Sequence, residues 1–138
     1  MNHKDTKDTK RARVLANQRS RQVIGSAIEV HKSLGPGLLE SVYEQAMCVE
    51  LESRCVPFQR QVDVSLSYKG VPLGGALKLD LLIDAVVIAE LKSFASLQPI
   101  HEAQLLTYLR LTGIWLGLLL NFNSVSMRYG IRRRVNNY

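Results

Sequence analysis

Three charged side chains stand where the chain otherwise reads as buried strand: Asp80, Glu90 and Lys92, within the stretch DLLIDAVVIAELK. Burying ionised groups costs several kcal/mol each unless a partner offsets it. Glu90 and Lys92 are two apart, so on a strand they project from one face. Asp80 precedes the hairpin and returns to the same neighbourhood. Two carboxylates beside an amine suit a hard divalent cation, Mg²⁺ or Mn²⁺, with oxygen ligands. Such a cation lowers the pKa of a coordinated water and stabilises charge on a phosphate, while Lys92 orients the water or the oxyanion. The plainer alternatives are a solvated cross-strand ion pair for Glu90 and Lys92, and a turn role for Asp80. Val86 and Ile88 share the face of Glu90, and Asp80 lies inside an apolar run, which favours the chemical reading. Asp84 reads as the turn residue of the hairpin.

A hairpin can serve such a site in only one parity. Antiparallel partners have a constant sum of residue numbers and share a face. Pairing Ile83 with Val87 sets Asp80 opposite Glu90 and leaves the loop Asp84–Val86. Pairing Ile83 with Val86, as a two-residue turn would, throws the two carboxylates to opposite faces. A shared site therefore requires an odd loop or a bulge.

The elements that must hold this hairpin follow from hydrophobic spacing. Val23, Ala27, Val30 and Leu34 recur at helical intervals, which predicts a helix over about 17–34. The Gly35-Pro36-Gly37 turn stops it. A second helix is expected over about 38–53, carrying Leu39, Val42, Tyr43, Ala46 and Met47 inward. Val62, Val64, Leu66 and Tyr68 alternate as a half-buried strand. A turn-rich connection, KGVPLGG, precedes strands over about 76–83 and 86–93. Pro99 and Gly113 bound a third helix. The run 114–122 reads as a buried strand, and 125–133 as its hairpin partner. The order is ααβββαββ, an α/β sandwich around a mixed sheet.

A chain of 138 residues with 46% hydrophobic content fits one domain with a sizeable core. The apolar run Ile114–Leu120 falls far short of the ~20 residues of a membrane helix. No apolar signal core opens the chain, so a cytoplasmic protein without membrane association is expected. Cys48 and Cys55 have no spacing that suggests a disulfide framework or zinc site, and Cys48 reads as core. The net charge of +6 is concentrated at the ends. Residues 1–21 hold seven Lys or Arg against two Asp, and 128–138 hold four Arg and no acid, while the centre is net acidic. We expect residues 1–16 to be a basic, flexible tail and 17–138 to be the folded domain. Arg132, Arg133 and Arg134, with Tyr108, are candidate contacts to DNA or RNA. Tyr108 shares one face of the third helix with His101 and Gln104. His31 reads as a helix-end histidine and Trp115 as core.

The arrangement D…ExK on a hairpin followed by a helix resembles the PD-(D/E)xK nuclease superfamily. GLLESVYE matches a GxxExxY signature through Gly37, Glu40 and Tyr43. With ELKS, HEAQLLTYLRLTG and GLLLNFN in the same order, the chain resembles the GxxExxY proteins, a small bacterial family of that type, from about Val23 to Arg133. The resemblance implies a restriction-endonuclease-like sandwich, with helices flanking a mixed central sheet. It also implies a metal-dependent nuclease acting on phosphodiesters. Asp80 and Glu90 would be the metal-binding acids, joined by Glu40 of the first motif. Lys92 would be the catalytic lysine, and Gln104 the polar helix residue supporting the site. Glu29 competes with Glu40 for the first-motif role, and Leu79 stands where the superfamily usually has Pro. The alternative is a catalytically inactive nucleic-acid- or protein-binding module on the same fold. The small size suggests that an oligomer or a protein partner adds specificity.

Overall fold

The computed structural model describes residues 3–137. Helix α1 (His3–Leu34) is 32 residues long, starting well before the expected Asn17. The segment expected as a flexible tail is helical from His3 and continuous with the rest of α1; Met1 and Asn2 lie outside the described residues. The early segment contains no Pro or Gly and many good helix formers. Ala16 is buried, and the Arg13 guanidinium lies 4.9 Å from the centre of the Trp115 ring. These contacts carry α1 onto the body of the molecule.

After the glycine turn, α2 (Glu40–Ser53) starts two residues later than expected. Tyr43 explains the turn's shape. Its hydroxyl donates to the Gly35 carbonyl at 2.6 Å and accepts from the Leu38 amide at 3.1 Å. Its ring stacks on Phe122 at 4.5 Å. Gly37 has φ +94°, open to glycine and strained for other residues. In this chain, the glycine and tyrosine of the GxxExxY motif hold the α1–α2 turn.

Five strands follow: β1 (Phe58–Tyr68), β2 (Val71–Ile83), β3 (Val87–Lys92), β4 (Leu116–Asn121) and β5 (Ile131–Val135). They form one sheet in the order β1-β2-β3-β4-β5. Only β3 and β4 run parallel, and α3 (Pro99–Thr112) makes the crossover between them. The expected mixed sheet flanked by helices is present. Two local expectations differ. Most of KGVPLGG is strand, because Lys69 and Gly70 alone form the turn, both at positive φ. The stretch expected as a hairpin strand from Val125 opens instead with a helical turn, α4 (Met127–Gly130). Ser126 caps that turn by accepting from the Arg128 amide, a preference that competes with strand pairing.

Two apolar layers enclose the sheet. Leu81, Ile83, Val87, Ala89, Leu91 and the β4 leucines 116, 118 and 120 pack with α1 and α2. Leu77, Leu79, Ile88 and Leu119 pack with Leu105 and Leu109 of α3. Each fully buried leucine contributes roughly 1.5–3 kcal/mol. Gly117 allows α3 to sit close: a Cβ there would lie 2.7 Å from Leu105 Cδ1.

Candidate active site

The β2–β3 pairing sets Leu81 opposite Ala89, Leu82 opposite Ile88 and Ile83 opposite Val87. That is the register a shared Asp80–Glu90 site requires. Asp84 and Ala85 both have positive φ, and the Val86 amide donates to the Ile83 carbonyl at 2.9 Å. This is the backbone of a tight primed turn, yet the ladder starts one residue later and leaves Val86 as the extra loop residue. Arg19 of α1 anchors the turn through Nε to Asp84 Oδ2 at 2.9 Å. The Asp84 amide also donates to the Pro57 carbonyl.

Beyond Leu81 the ordinary ladder gives way to side chains. The Asp80 amide donates to Glu90 Oε2 at 2.8 Å, and the Leu91 amide donates to Asp80 Oδ2 at 2.9 Å. Each carboxylate thus takes the place of a strand carbonyl. The faces change here as well. Leu79 packs on the α3 side and Leu81 on the α1–α2 side, although residues two apart on a regular strand share a face. The neighbouring strand breaks at the same level, where Gln61 has φ +51°. Asp80 therefore sits where β2 turns over, within reach of both layers.

Electrostatics mark the same place. Glu90 is 4% exposed. Burial first, and then the neighbouring Asp80 charge, push its pKa up to about 8, although Lys92 and the Asp80 amide pull it down. Burial also raises the Asp80 pKa, opposed by the Leu91 amide and Lys92. The Tyr108 phenol of α3 is raised by burial, then by Glu90 and Asp80, so it belongs to the same field. Gln104, one turn earlier on α3, is exposed and favours the ionised Tyr108 through a side-chain hydrogen bond.

Asp80 opens into a cavity of about 180 Å³ together with Glu40, Ser41, Glu44, Gln61 and Leu91. Glu40 is the exposed first residue of α2; Glu29 is exposed on α1 and does not line this cavity. The residue that sequence reasoning missed is Glu44. It is 8% exposed and raises the pKa of both Asp80 and Glu90. Arg60 donates to it through Nη2 at 2.6 Å, and Gln61 Nε2 donates to Oε1. Its sequence signal was an acid one turn after Glu40, beside the buried Tyr43 and Met47.

The chain leaving Lys92 is also fixed. Buried Asn121 accepts from the Phe94 amide and donates to the Phe94 carbonyl, both at 3.0 Å. The Ser93 hydroxyl donates to the Leu38 carbonyl. His101 has a structural role here: Nδ1 accepts from the Gln98 amide at 2.9 Å, and the ring stacks on Phe94 at 4.6 Å. His31 is held to the Ser124 carbonyl at 2.7 Å. The three terminal arginines do not form one patch. Arg132 and Arg134 meet Glu102 at 3.5 and 2.7 Å, while Arg133 turns the other way to Asn17 at 2.6 Å. Strand alternation along β5 separates them.

Among the described residues, no group of three or more His, Cys, Asp or Glu is placed to hold a metal ion. The Asp80–Glu90 pair nevertheless fits a Mg²⁺-type ion, which is commonly held by one or two carboxylates with waters and phosphate oxygens completing its shell. Two mutually repelling carboxylates beside Lys92 are the donor chemistry such an ion relieves. Among the described residues, no helix is long and apolar enough to cross a membrane.

An acid pair and a lysine on a hairpin of a mixed sheet, with helices on both faces, define a nuclease-type α/β sandwich. The profile of the PD-(D/E)XK nuclease superfamily matches residues 17–134, and the chain belongs to that superfamily. Membership points to nuclease-like function and a nucleic-acid substrate; nucleases of this superfamily generally use divalent metal ions. Comparison with curated proteins and with solved structures gave no significant match.

Proposed function

We propose that the protein is a Mg²⁺- or Mn²⁺-dependent nuclease of the bacterial GxxExxY type, hydrolysing phosphodiester bonds of DNA or RNA. The observation that carries this reading is the Asp80–Glu90 pair, a half-buried and a buried carboxyl group that accept strand amides across the fork of β2 and β3, with Lys92 beside them. A bound divalent ion would supply charge neutralisation and an activated water. Asp80 and Glu90 would hold it, and Glu40 faces the same cavity and is able to complete the set through water. Lys92 orients the attacking water or compensates the developing phosphorane charge. Glu44 keeps Gln61 turned towards Asp80 and adds negative charge that favours cation binding. Gln104 and Tyr108 line the α3 side, where a nucleotide sugar or phosphate would lie. Arg132 and Arg134 extend a basic surface next to α3, with an exposed Tyr129 close by in sequence.

The test is direct. Purified protein is incubated with single-stranded DNA, duplex DNA and RNA, with Mg²⁺, Mn²⁺ or EDTA, beside Asp80→Asn. Cleavage that needs the metal and disappears in the variant supports the reading. Metal-dependent binding without cleavage on all three substrates would instead favour the non-catalytic binding module.

A further inference from the structure

At the end of the sheet near the hairpin turn, away from Lys92 and Asn121, lies a second cavity of about 420 Å³. Its walls include Arg13, Val86, Arg110, Ile114 and Trp115. This cavity is larger than the one beside Asp80 and shares no residue with it. Its α1 wall comes from residues 9–16, which precede the segment matched by the superfamily profile. The rest of its lining, apart from Asn136, falls within the matched segment.

Its charges are unbalanced. Arg13 Nε is buried without a hydrogen-bond partner among the described residues. Neither Arg13 nor Arg110 forms an ion pair among the described residues, whereas Arg19, Arg54, Arg60, Arg132 and Arg134 all do. A third guanidinium, Arg133, lies 5.7 Å from the same Trp115 ring that holds Arg13. Arg13 is half-buried and Arg110 exposed at the cavity wall, so what an anion would relieve is the unmet buried donor of Arg13. Guanidinium forks are matched in geometry to phosphate oxygens. The volume lies within the ~300–1,000 Å³ range of small-molecule sites and far exceeds what one phosphate fills. The remaining space is bounded by Val86, Ile114 and the Trp115 indole, surfaces suited to a flat apolar ring.

We propose that this cavity binds a nucleoside monophosphate, its phosphomonoester held between Arg13 and Arg110 and its base against the apolar wall. The site is separate from the hydrolytic one and stands whether or not the chain cleaves nucleic acid.

Trp115 is the single tryptophan of the chain, so its indole reports directly on this cavity. The full-length protein is titrated with AMP, GMP, CMP and UMP, following the Trp115 indole N–H resonance, with calorimetry for affinity. Adenosine and inorganic phosphate serve as separate arms. The expected result is a saturable shift with at least one monophosphate, weakened about tenfold or more in Arg110→Ala, as loss of a charge-assisted contact implies. Arg13→Lys, which keeps helix propensity and charge but loses the fork, should also weaken it. Asp80→Asn should leave it unchanged. Absence of a saturable shift with every monophosphate overturns the proposal, as does equal affinity in Arg110→Ala. Phosphate binding as tightly as the nucleotides would also overturn it, since the base would then add nothing.

Discussion

Asp80 and Glu90 hold each other's strands: the amide of Asp80 donates to Glu90 Oε2, and Asp80 Oδ2 accepts the amide of Leu91. The two carboxyl groups thus hold the strands together at the fork, in surroundings where burial disfavours their charged forms. Replacing a carboxylate by its amide therefore separates the two roles, because the amide oxygen still accepts the strand N–H.

Asp80→Asn and Glu90→Gln are expected to retain the fold and lose at least about a hundredfold in metal-dependent cleavage, the scale of removing several kcal/mol of charge stabilisation. Lys92→Ala should behave alike. Circular dichroism checks the fold, and single-turnover cleavage checks the rate. Wild-type rates in Glu90→Gln would remove it from the site.

The raised pKa of Glu90 makes a signed prediction. Between its ordinary value of 4.5 and about 8, the folded metal-free protein holds a proton that the unfolded chain has released. The Glu90 contribution is therefore fully present at low pH and is lost as pH rises through that window. In EDTA, Glu90→Gln should gain melting temperature relative to wild type between pH 5 and pH 8.5. Excess Mn²⁺ should restore the wild type most at the alkaline end, where no proton must be displaced. A difference between the two proteins that does not vary with pH contradicts this.

Tyr43→Phe keeps the stack on Phe122 but leaves the Gly35 carbonyl and Leu38 amide without their hydroxyl partner. A loss of about 1–3 kcal/mol is expected in urea unfolding. Gly37→Ala should cost about 1 kcal/mol or more through its positive φ alone, since nothing lies within 4 Å of the added Cβ.

The split of the terminal arginines refines the expectation for nucleic-acid binding. Arg132→Ala with Arg134→Ala should flatten the log–log salt dependence on duplex DNA by up to ~0.9 per lost phosphate contact. Arg133→Ala should leave the slope unchanged, because that side chain faces Asn17 and Trp115. Glu102→Gln, which frees both partners, should tighten binding. Equal slopes for all four proteins would assign these arginines to folding alone.

What could be read from the sequence was whatever depends on near neighbours along the chain. Helical and strand spacing located most elements; the Gly35–Gly37 turn, Pro99 and Gly113 bounded the helices. Even the parity that Asp80 and Glu90 require follows from alternation, because a strand repeats every two residues. Alternation also hid something, since it assumes a regular strand. Only packing against α2 and α3 turns β2 over between Leu79 and Leu81, with Gln61 left-handed beside it. That twist lets Asp80 face a cavity shared with Glu44. Glu44 meets Gln61 across 17 residues, Arg133 meets Asn17 across 116, and Arg19 meets Asp84 across 65. Such pairs leave no periodic trace, because their free energy depends on which surfaces the folded layers bring together. The helix preceding Asn17 is the same case: its residues permit a helix, but the burial of Ala16 and the stacking of Arg13 on Trp115 commit the chain to one.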